Sequence, residues 1–563
     1  MKSRDSACQS VLQGSYDVCI IGGGATGLGC ALDAQLRGLS TVLLDAGDFV
    51  SHTSMASTKL VHGGVRYLQQ AVRELDRAQF ALVGRALHER MSMLRRAPFL
   101  AHPLELLVPC FSRWELAYYT MGMKLYDWIA GSASLFPSRA LGREETLQRM
   151  PGLRKERRNQ LRSQRLIGSV SYADGQFDDA RFGIALAQTF AQQGGELINY
   201  AKAIAFAADS SGKLTALEVE DQLTGQRFQI SAKVFLNCTG PFADQLRRLA
   251  NPALPERLRL SKGVHLLLPL EALQSDAALL IPRTEDGRVI FAIPWLGRLL
   301  VGTTDDEATL ADEMVVTPEE VHYLLHHVNQ YLNETLTPQD VQSAFAGLRP
   351  LLKSKPSLHT GNLARDHEIE LDPASGLISV LGGKWTTYRA MAEDAIDSVQ
   401  RALGAAPREC RTLDFPLTGA EGFWVDYWRQ LAEKYDLSSR SARHLAQKFG
   451  TDAPKVLELA EQDPQLLQPL VPGGAAIGAE AAYAVREEMA QTIADVLTRR
   501  LGVQFHSWSE AAEAAPVVAQ WLAREFAWSD DQTHDAVEAY LGTLRHLLQA
   551  AGIENQPETT GGR

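Results

Sequence analysis

The chain of 563 residues lacks most of the features that assign a protein to a class at a glance. It has no run of about 18 apolar residues, the length a helix needs to cross a bilayer, so no spanning helix is expected. Its first 15 residues are polar and hold no apolar stretch of the kind a secretory signal needs. Cysteine is scarce. Cys8, Cys19, Cys30, Cys110, Cys238 and Cys410 are scattered, with no C-x-x-C pair, so neither a disulfide framework nor a cysteine metal site is expected. They read as reduced, mostly buried thiols of a cytosolic protein. Positive charge is in deficit too. A net charge of −11 gives no global field to attract phosphate backbones, which argues against nonspecific nucleic-acid binding. Internal repeats and low-complexity tracts are absent.

What is present is globular. Hydrophobic content of 45% and charged content of 22% fit a packed chain, and its length exceeds what one core serves, so two or three domains are expected. The most specific stretch is Tyr16 to Gly27, an apolar strand, a glycine turn and a helix start. Gly22, Gly24 and Gly27 form G-x-G-x-x-G: the first allows the turn, the second admits a pyrophosphate, the third lets helix pack on strand. The helix N-terminus at Ala25 and Thr26 offers free N–H groups to phosphates. A second strand, Thr41 to Leu44, ends at Asp45, 18 residues after Gly27, where a carboxylate accepts from an adenosine ribose. This pattern predicts dinucleotide binding without choosing between NAD and FAD.

Further along, residues 1–15 read as a disordered tail, 51–70 as a Ser/Thr/Gly-rich loop lining the cofactor, and 71–130 as mostly helical. Within 99–131, Phe111, Trp114, Tyr118, Tyr119, Tyr126 and Trp128 alternate with Arg113 and Lys124. That composition fits either a helical pair packed on the core or a bilayer-interface segment. Arg154 to Arg165 reads as a basic, solvated loop or helix face. Residues 196–240 alternate like strands. Ala/Leu/Glu/Arg-rich helical periodicity begins near residue 420.

Ser51 to Leu68 reads SHTSMASTKLVHGGVRYL. With Tyr172–Arg181, Asn237–Asp244, Lys262–His265, Gly302–Asp305, Gly347–Leu351, Arg365–Asp366 and Gly382–Arg389, it resembles the FAD-dependent glycerol-3-phosphate dehydrogenase family, among the D-amino-acid-oxidase-like flavoproteins. The resemblance is strong over residues 16–400. It implies an α/β fold: a Rossmann-like FAD-binding domain, a mixed-sheet substrate domain and a C-terminal all-α domain. The FAD-binding parts fall mainly in 16–95, 165–260 and 340–405, the substrate parts mainly in 96–164 and 261–339, and the helical domain in 413–563.

The resemblance also implies roles. FAD is the cofactor, held by Gly22, Gly24, Ala25, Thr26, Gly27 and Asp45, by Thr53, Ser54, Ser57, Thr58, Leu60, His62, Gly63 and Gly64, and by Gly240, Gly383, Lys384, Thr386 and Thr387. Gly63 and Gly64 let backbone approach a flat ring. His62 is the best candidate for taking the C2 hydroxyl proton, with His265 second. Arg66, Tyr67, Arg349, Arg365 and Lys384 bind the phosphate ester and its oxygens, because guanidinium forks suit phosphate. A helix start after Gly382-Gly383 would stabilise charge on the reduced ring. No metal is implied. Phe242 for tryptophan, Asp45 for glutamate and His367 for tyrosine depart from the family pattern.

The implied activity is oxidation of sn-glycerol 3-phosphate to dihydroxyacetone phosphate, with hydride passing from C2 to flavin N5 and electrons going to membrane quinone. The enzyme would then sit peripherally on the inner face of the cytoplasmic membrane. A homodimer stays open. The alternatives are an oxidase releasing hydrogen peroxide, a flavoprotein acting on amines, and a non-catalytic flavin-bound scaffold. The phosphate-binding arginines weigh against the second, and the presence of His62, Arg349 and Lys384 against the third.

Overall fold

The computed structural model describes residues 1–64, 77–159, 162–353 and 367–553. Two sheets organise the first 400 residues. In the first, five parallel strands run in the order Glu196–Ile198, Thr41–Leu44, Tyr16–Ile21, Arg227–Asn237 and Ile378–Gly382. Val18 to Ile21 and Val42 to Leu44 are buried, the continuous apolar reading of a parallel strand covered on both faces. Helices Ala25–Leu36, Asp179–Gln192 and Tyr388–Ala402 pack against this sheet and one another. The C-terminal ends of the central strands open onto the turns at Gly22, Asn237 and Gly382, the edge where open α/β sheets bind ligands.

The second sheet is mixed. Leu258–Pro269 pairs with Arg298–Gly302 and, from Leu258 to Leu267, with Ser343–Leu352. Ala101–Cys110 and Gly168–Phe177 form a ten-residue antiparallel ladder that ends beside Leu60–Val61. Helices between Tyr427 and Ala550 follow. Val496, Trp508 and Val518 from them share one core with Leu266 and Val301 of the second sheet.

Four expectations need correction. Residues 4–13 are not a tail but a helix, Arg4–Gln13. Ser3 caps it, Ala7 and Val11 bury its inner face, and Arg4 pairs with Asp221 at 3.0 Å. Two small apolar residues a turn apart are too weak a signal to stand out in a polar segment. Within 71–130, read as mostly helical, residues 101–110 are a strand, exposed at His102 and Pro103 and buried from Leu106 to Cys110. A continuous apolar run does not tell the two apart. The basic run contains two antiparallel strands, Glu156–Asn159 paired with Arg162–Arg165. Gly168–Phe177 and Ser343–Leu352 belong to the second sheet and not to the nucleotide-binding one, so the two parts alternate more often than expected.

Candidate active site

The glycine turn has the geometry its spacing predicts. Gly22 has φ +107°, where a side chain is strained, and a Cβ on it would lie 2.6 Å from the Cys238 carbonyl oxygen. A Cβ on Gly27 would lie 1.8 Å from the Gly22 carbonyl oxygen, so only glycine lets this helix seat on the turn. Helix Ala25–Leu36 has Gly24 as N-cap and no side-chain cap of its own; the Ala25 amide donates to Ser54 Oγ at 3.0 Å. Asp45 stands just past the neighbouring strand. Its carboxylate accepts from the Gly23 amide at 2.6 Å and the Gly47 amide at 2.8 Å. Burial pushes it up to about 6 although those amides pull it down. Beyond Arg227–Asn237, Asn237 Oδ1 accepts from the Thr239 amide and hydroxyl and fixes the turn into Gly240, at φ +54°. A glycine cradle, a helix start whose N-cap is a bare glycine and a carboxylate beside them fit the pyrophosphate and ribose of a dinucleotide.

Residues 53–64 tie this cradle to the second sheet. Thr53 Oγ1 donates to the Leu348 carbonyl at 2.7 Å, and a Cβ on Gly347 would meet Ala56 at 2.7 Å. Ser57 Oγ accepts from the Lys59 amide, and Thr58 Oγ1 lies 3.0 Å from His265 Nε2. Leu60 is buried in its short strand. The His62 amide donates to Thr386 Oγ1 at 3.3 Å, and Trp385 Nε1 donates to the Ser54 carbonyl at 2.7 Å. The loop therefore meets the glycine turn, the 258–269 strand and the 384–387 turn. Gly382 and Gly383, at φ +75° and +105°, turn the chain into that last segment. Lys384 is its exposed N-cap, and Thr387 precedes helix Tyr388–Ala402 without a side-chain cap.

The His62 Nδ1 accepts from the Gly64 amide at 3.0 Å, so a neutral ring carries its hydrogen on Nε2. Gly63 is needed for packing: a Cβ there would lie 2.6 Å from Leu87 and 2.8 Å from the Tyr126 hydroxyl. His265 is buried and stacked on Phe345 at 4.8 Å. Burial holds it well below the usual imidazole range, and the Arg349 and Lys59 cations push the same way, so the ring is neutral. Its Nδ1 has no hydrogen-bond partner among the described residues. Arg349 sits one strand over, fitted against the bare Cα of Gly263. It donates to Thr303 Oγ1 at 2.8 Å, the Thr304 carbonyl at 3.1 Å and Asp305 Oδ1 at 3.2 Å. Arg66, Tyr67 and Arg365 lie outside the described residues.

Several residues were missed. Lys59 is fully buried. Its ammonium meets Asp179 Oδ1 at 2.5 Å and the Met55 carbonyl at 2.7 Å, among the rings of Trp295, Phe345 and Phe505. Tyr126 is also buried. Its hydroxyl accepts from the Gly63 amide at 2.7 Å and donates to Asp174 Oδ1 at 2.9 Å, and Arg90 holds Asp174 at 2.7 Å. Lys59, Asp174 and Asp179 fall inside the motifs at 51–68 and 172–181, whereas Tyr126 lies in an aromatic-rich stretch that carries no such signal.

The chain matches the FAD dependent oxidoreductase family over residues 17–389 and the C-terminal domain of alpha-glycerophosphate oxidase over 410–533. It is 36% identical to the mitochondrial glycerol-3-phosphate dehydrogenase of Mus musculus, over 96% of this chain and 74% of that one. The Arabidopsis thaliana mitochondrial enzyme is 37% identical over 91% of this chain and 83% of its own. The glycerol-3-phosphate dehydrogenase of Bacillus halodurans, solved with FAD, superposes with a TM-score of 0.78 at 30% identity, covering 99% of this chain and all of that one. The L-alpha-glycerophosphate oxidase of Mycoplasma pneumoniae shares the fold at 17% identity, with a TM-score of 0.53 over 72% of this chain and 98% of its own. With its FAD cradle and helical C-terminal part, the chain belongs to the FAD-dependent glycerol-3-phosphate dehydrogenase family.

Proposed function

We propose that this protein oxidises sn-glycerol 3-phosphate to dihydroxyacetone phosphate and passes the electrons to membrane quinone. The observation that carries the substrate is Arg349. Its guanidinium lies near neutral His265, held by Thr303, Thr304 and Asp305 and still a third exposed, so it can turn its fork to a phosphate or hydroxyl oxygen. Lys384 adds a second exposed cation, and Arg66, Tyr67 and Arg365 complete the proposed set. Bound FAD supplies the hydride acceptor, at N5, for the C2 hydrogen. His265 accepts the C2 hydroxyl hydrogen bond at Nδ1 and takes that proton as the hydride leaves C2, while His62 donates from Nε2 and orients the substrate. FAD is held by the glycine turn, Asp45, residues 53–64, Gly240 and the 383–387 turn.

Membrane docking is supported by helix Arg113–Ala130. Trp114, Met121 and Trp128 stand 77%, 74% and 78% exposed along one face, with Tyr118 beside them and Arg113 and Lys124 on the same helix. Aromatic and basic side chains on one exposed stripe suit the headgroup layer, and no helix among the described residues is long and apolar enough to cross a membrane. The inner face of a cytoplasmic membrane is the proposed placement.

The test is anaerobic addition of sn-glycerol 3-phosphate to the purified yellow protein, followed by its flavin absorbance. Rapid bleaching is expected; no bleaching with flavin bound would overturn the substrate. Reoxidation by a quinone but not by oxygen is expected next. Stoichiometric hydrogen peroxide would instead make the protein an oxidase.

A further inference from the structure

The turn that carries Asp45 is held from the far end of the chain. Asp48, three residues on, is fully buried. Its Oδ2 accepts from Arg499 Nε at 2.6 Å and Arg500 Nη1 at 2.5 Å, and its Oδ1 from Arg500 Nη2 at 2.9 Å. Both arginines come from one π-helical segment, Asp495–Arg500, of the C-terminal helical part. A π-helical turn is rare and frequently found at functional sites, and here consecutive arginines reach the same carboxylate. Asp495 pairs with Arg499, Arg500 also donates to the Glu488 carbonyl, and Asn199 Nδ2 donates to Asp48 Oδ1 at 3.0 Å. From Asp48 the restraint spreads along backbone. The Val50 amide donates to the Gly23 carbonyl at 3.0 Å, the Tyr200 amide to Gly47 at 2.7 Å and the Ala201 amide to Asp45 at 2.7 Å.

We propose that Arg499 and Arg500 are positioning residues for the cofactor: through Asp48 they clamp the Asp45–Val50 turn, so that the C-terminal helical part sets how tightly the adenosine half of FAD is kept. This rests on the reading of Asp45 as the ribose acceptor. The desolvation of two guanidiniums and a carboxylate can exceed their Coulombic attraction, so the cluster is weak evidence for stability, whereas its forked hydrogen bonds fix the carboxylate's direction. Lysine in place of either keeps the charge and loses the fork.

The test uses full-length Arg499→Lys, Arg500→Lys and the near-isosteric Asp48→Asn, with Asp45→Ala as reference. Apoprotein of each is reconstituted, and the dissociation constants of FAD and FMN and the inhibition of FAD rebinding by ADP are measured. The expected result is a weakening of FAD and ADP of about tenfold or more, FMN unchanged, and an unchanged KM for glycerol 3-phosphate at saturating FAD. Equal losses for FAD and FMN would mean general damage and would overturn the clamp. So would unchanged FAD and ADP affinity in the three variants while Asp45→Ala weakens both. If Asp45→Ala itself binds FAD and ADP normally, the ribose reading fails and takes the proposal with it. Asp48→Asn decides the matter alone should either arginine variant fail to fold.

Discussion

Replacing Tyr126 by phenylalanine removes one oxygen and leaves the ring in its slot. That oxygen is the acceptor for the Gly63 amide at 2.7 Å and a donor to Asp174 at 2.9 Å, both buried. A buried amide left without a partner costs about 1–3 kcal/mol, and a lost hydrogen bond to a charged group about 1.5–3 kcal/mol. Asp174 keeps Arg90 at 2.7 Å, so the second loss falls at the low end of its range, and a total of roughly 2.5–4.5 kcal/mol is expected. Burial already pushes the Asp174 carboxyl up to about 6, and losing the tyrosine hydrogen bond raises it further. Gly63 directly follows His62, so part of the loss reaches the site. If about 1.4 kcal/mol of it falls on the reaction barrier, kcat drops about tenfold. The assay is steady-state oxidation of glycerol 3-phosphate with an artificial electron acceptor, beside thermal unfolding and flavin content. Wild-type kcat and wild-type stability together in a flavin-replete Tyr126→Phe protein would refute the reasoning.

Arg349→Lys loses the planar fork and its bonds to Thr303 and Thr304. KM for glycerol 3-phosphate should rise at least tenfold with FAD retained, and an unchanged KM would remove Arg349 from the phosphate site. His265 is depressed below the ordinary imidazole value of about 6.5, so the unfolded chain binds the extra proton at acid pH. Stability should therefore be complete above about pH 6.5 and decline as pH falls below it. Unfolding of wild type and His265→Gln across pH 5–8 tests this, since the variant should lose part of that decline. In Gly27→Ala the new Cβ would sit 1.8 Å from a backbone oxygen, so the helix must shift and the protein should purify without flavin; a yellow, stable variant would count against the cradle.

Much of this was open to reading in the sequence, for local reasons. The glycine turn announces itself because two of its glycines answer contacts nearby in sequence, Gly24 against Ser54 and Gly27 against Gly22. The order of strands was less legible. Gly168–Phe177 and Ser343–Leu352 look like nucleotide-domain strands by position, and only their partners, Ala101–Cys110 and Leu258–Pro269, assign them elsewhere. The site divides in the same way. His265 and Arg349 sat in motifs. Whether a histidine accepts or donates depends on its neighbours, here the Gly64 amide on His62 and two cations near His265, and one-dimensional spacing does not carry that. Tyr126 and the Asp48 clamp act across 63 and more than 450 residues of chain, where no periodicity reaches.

The parallel strand order has a consequence for synthesis. Tyr16–Ile21 lies between Thr41–Leu44 and Arg227–Asn237, and Arg227–Asn237 meets Ile378–Gly382. The glycine turn emerges from the ribosome first, yet the sheet that supports it closes only when residue 382 of 563 is out. For most of translation the apolar faces of the early strands stay uncovered, a state prone to aggregate. Flavin loading is therefore a late event, and a chain stalled before Ile378 should need chaperone protection and emerge colourless.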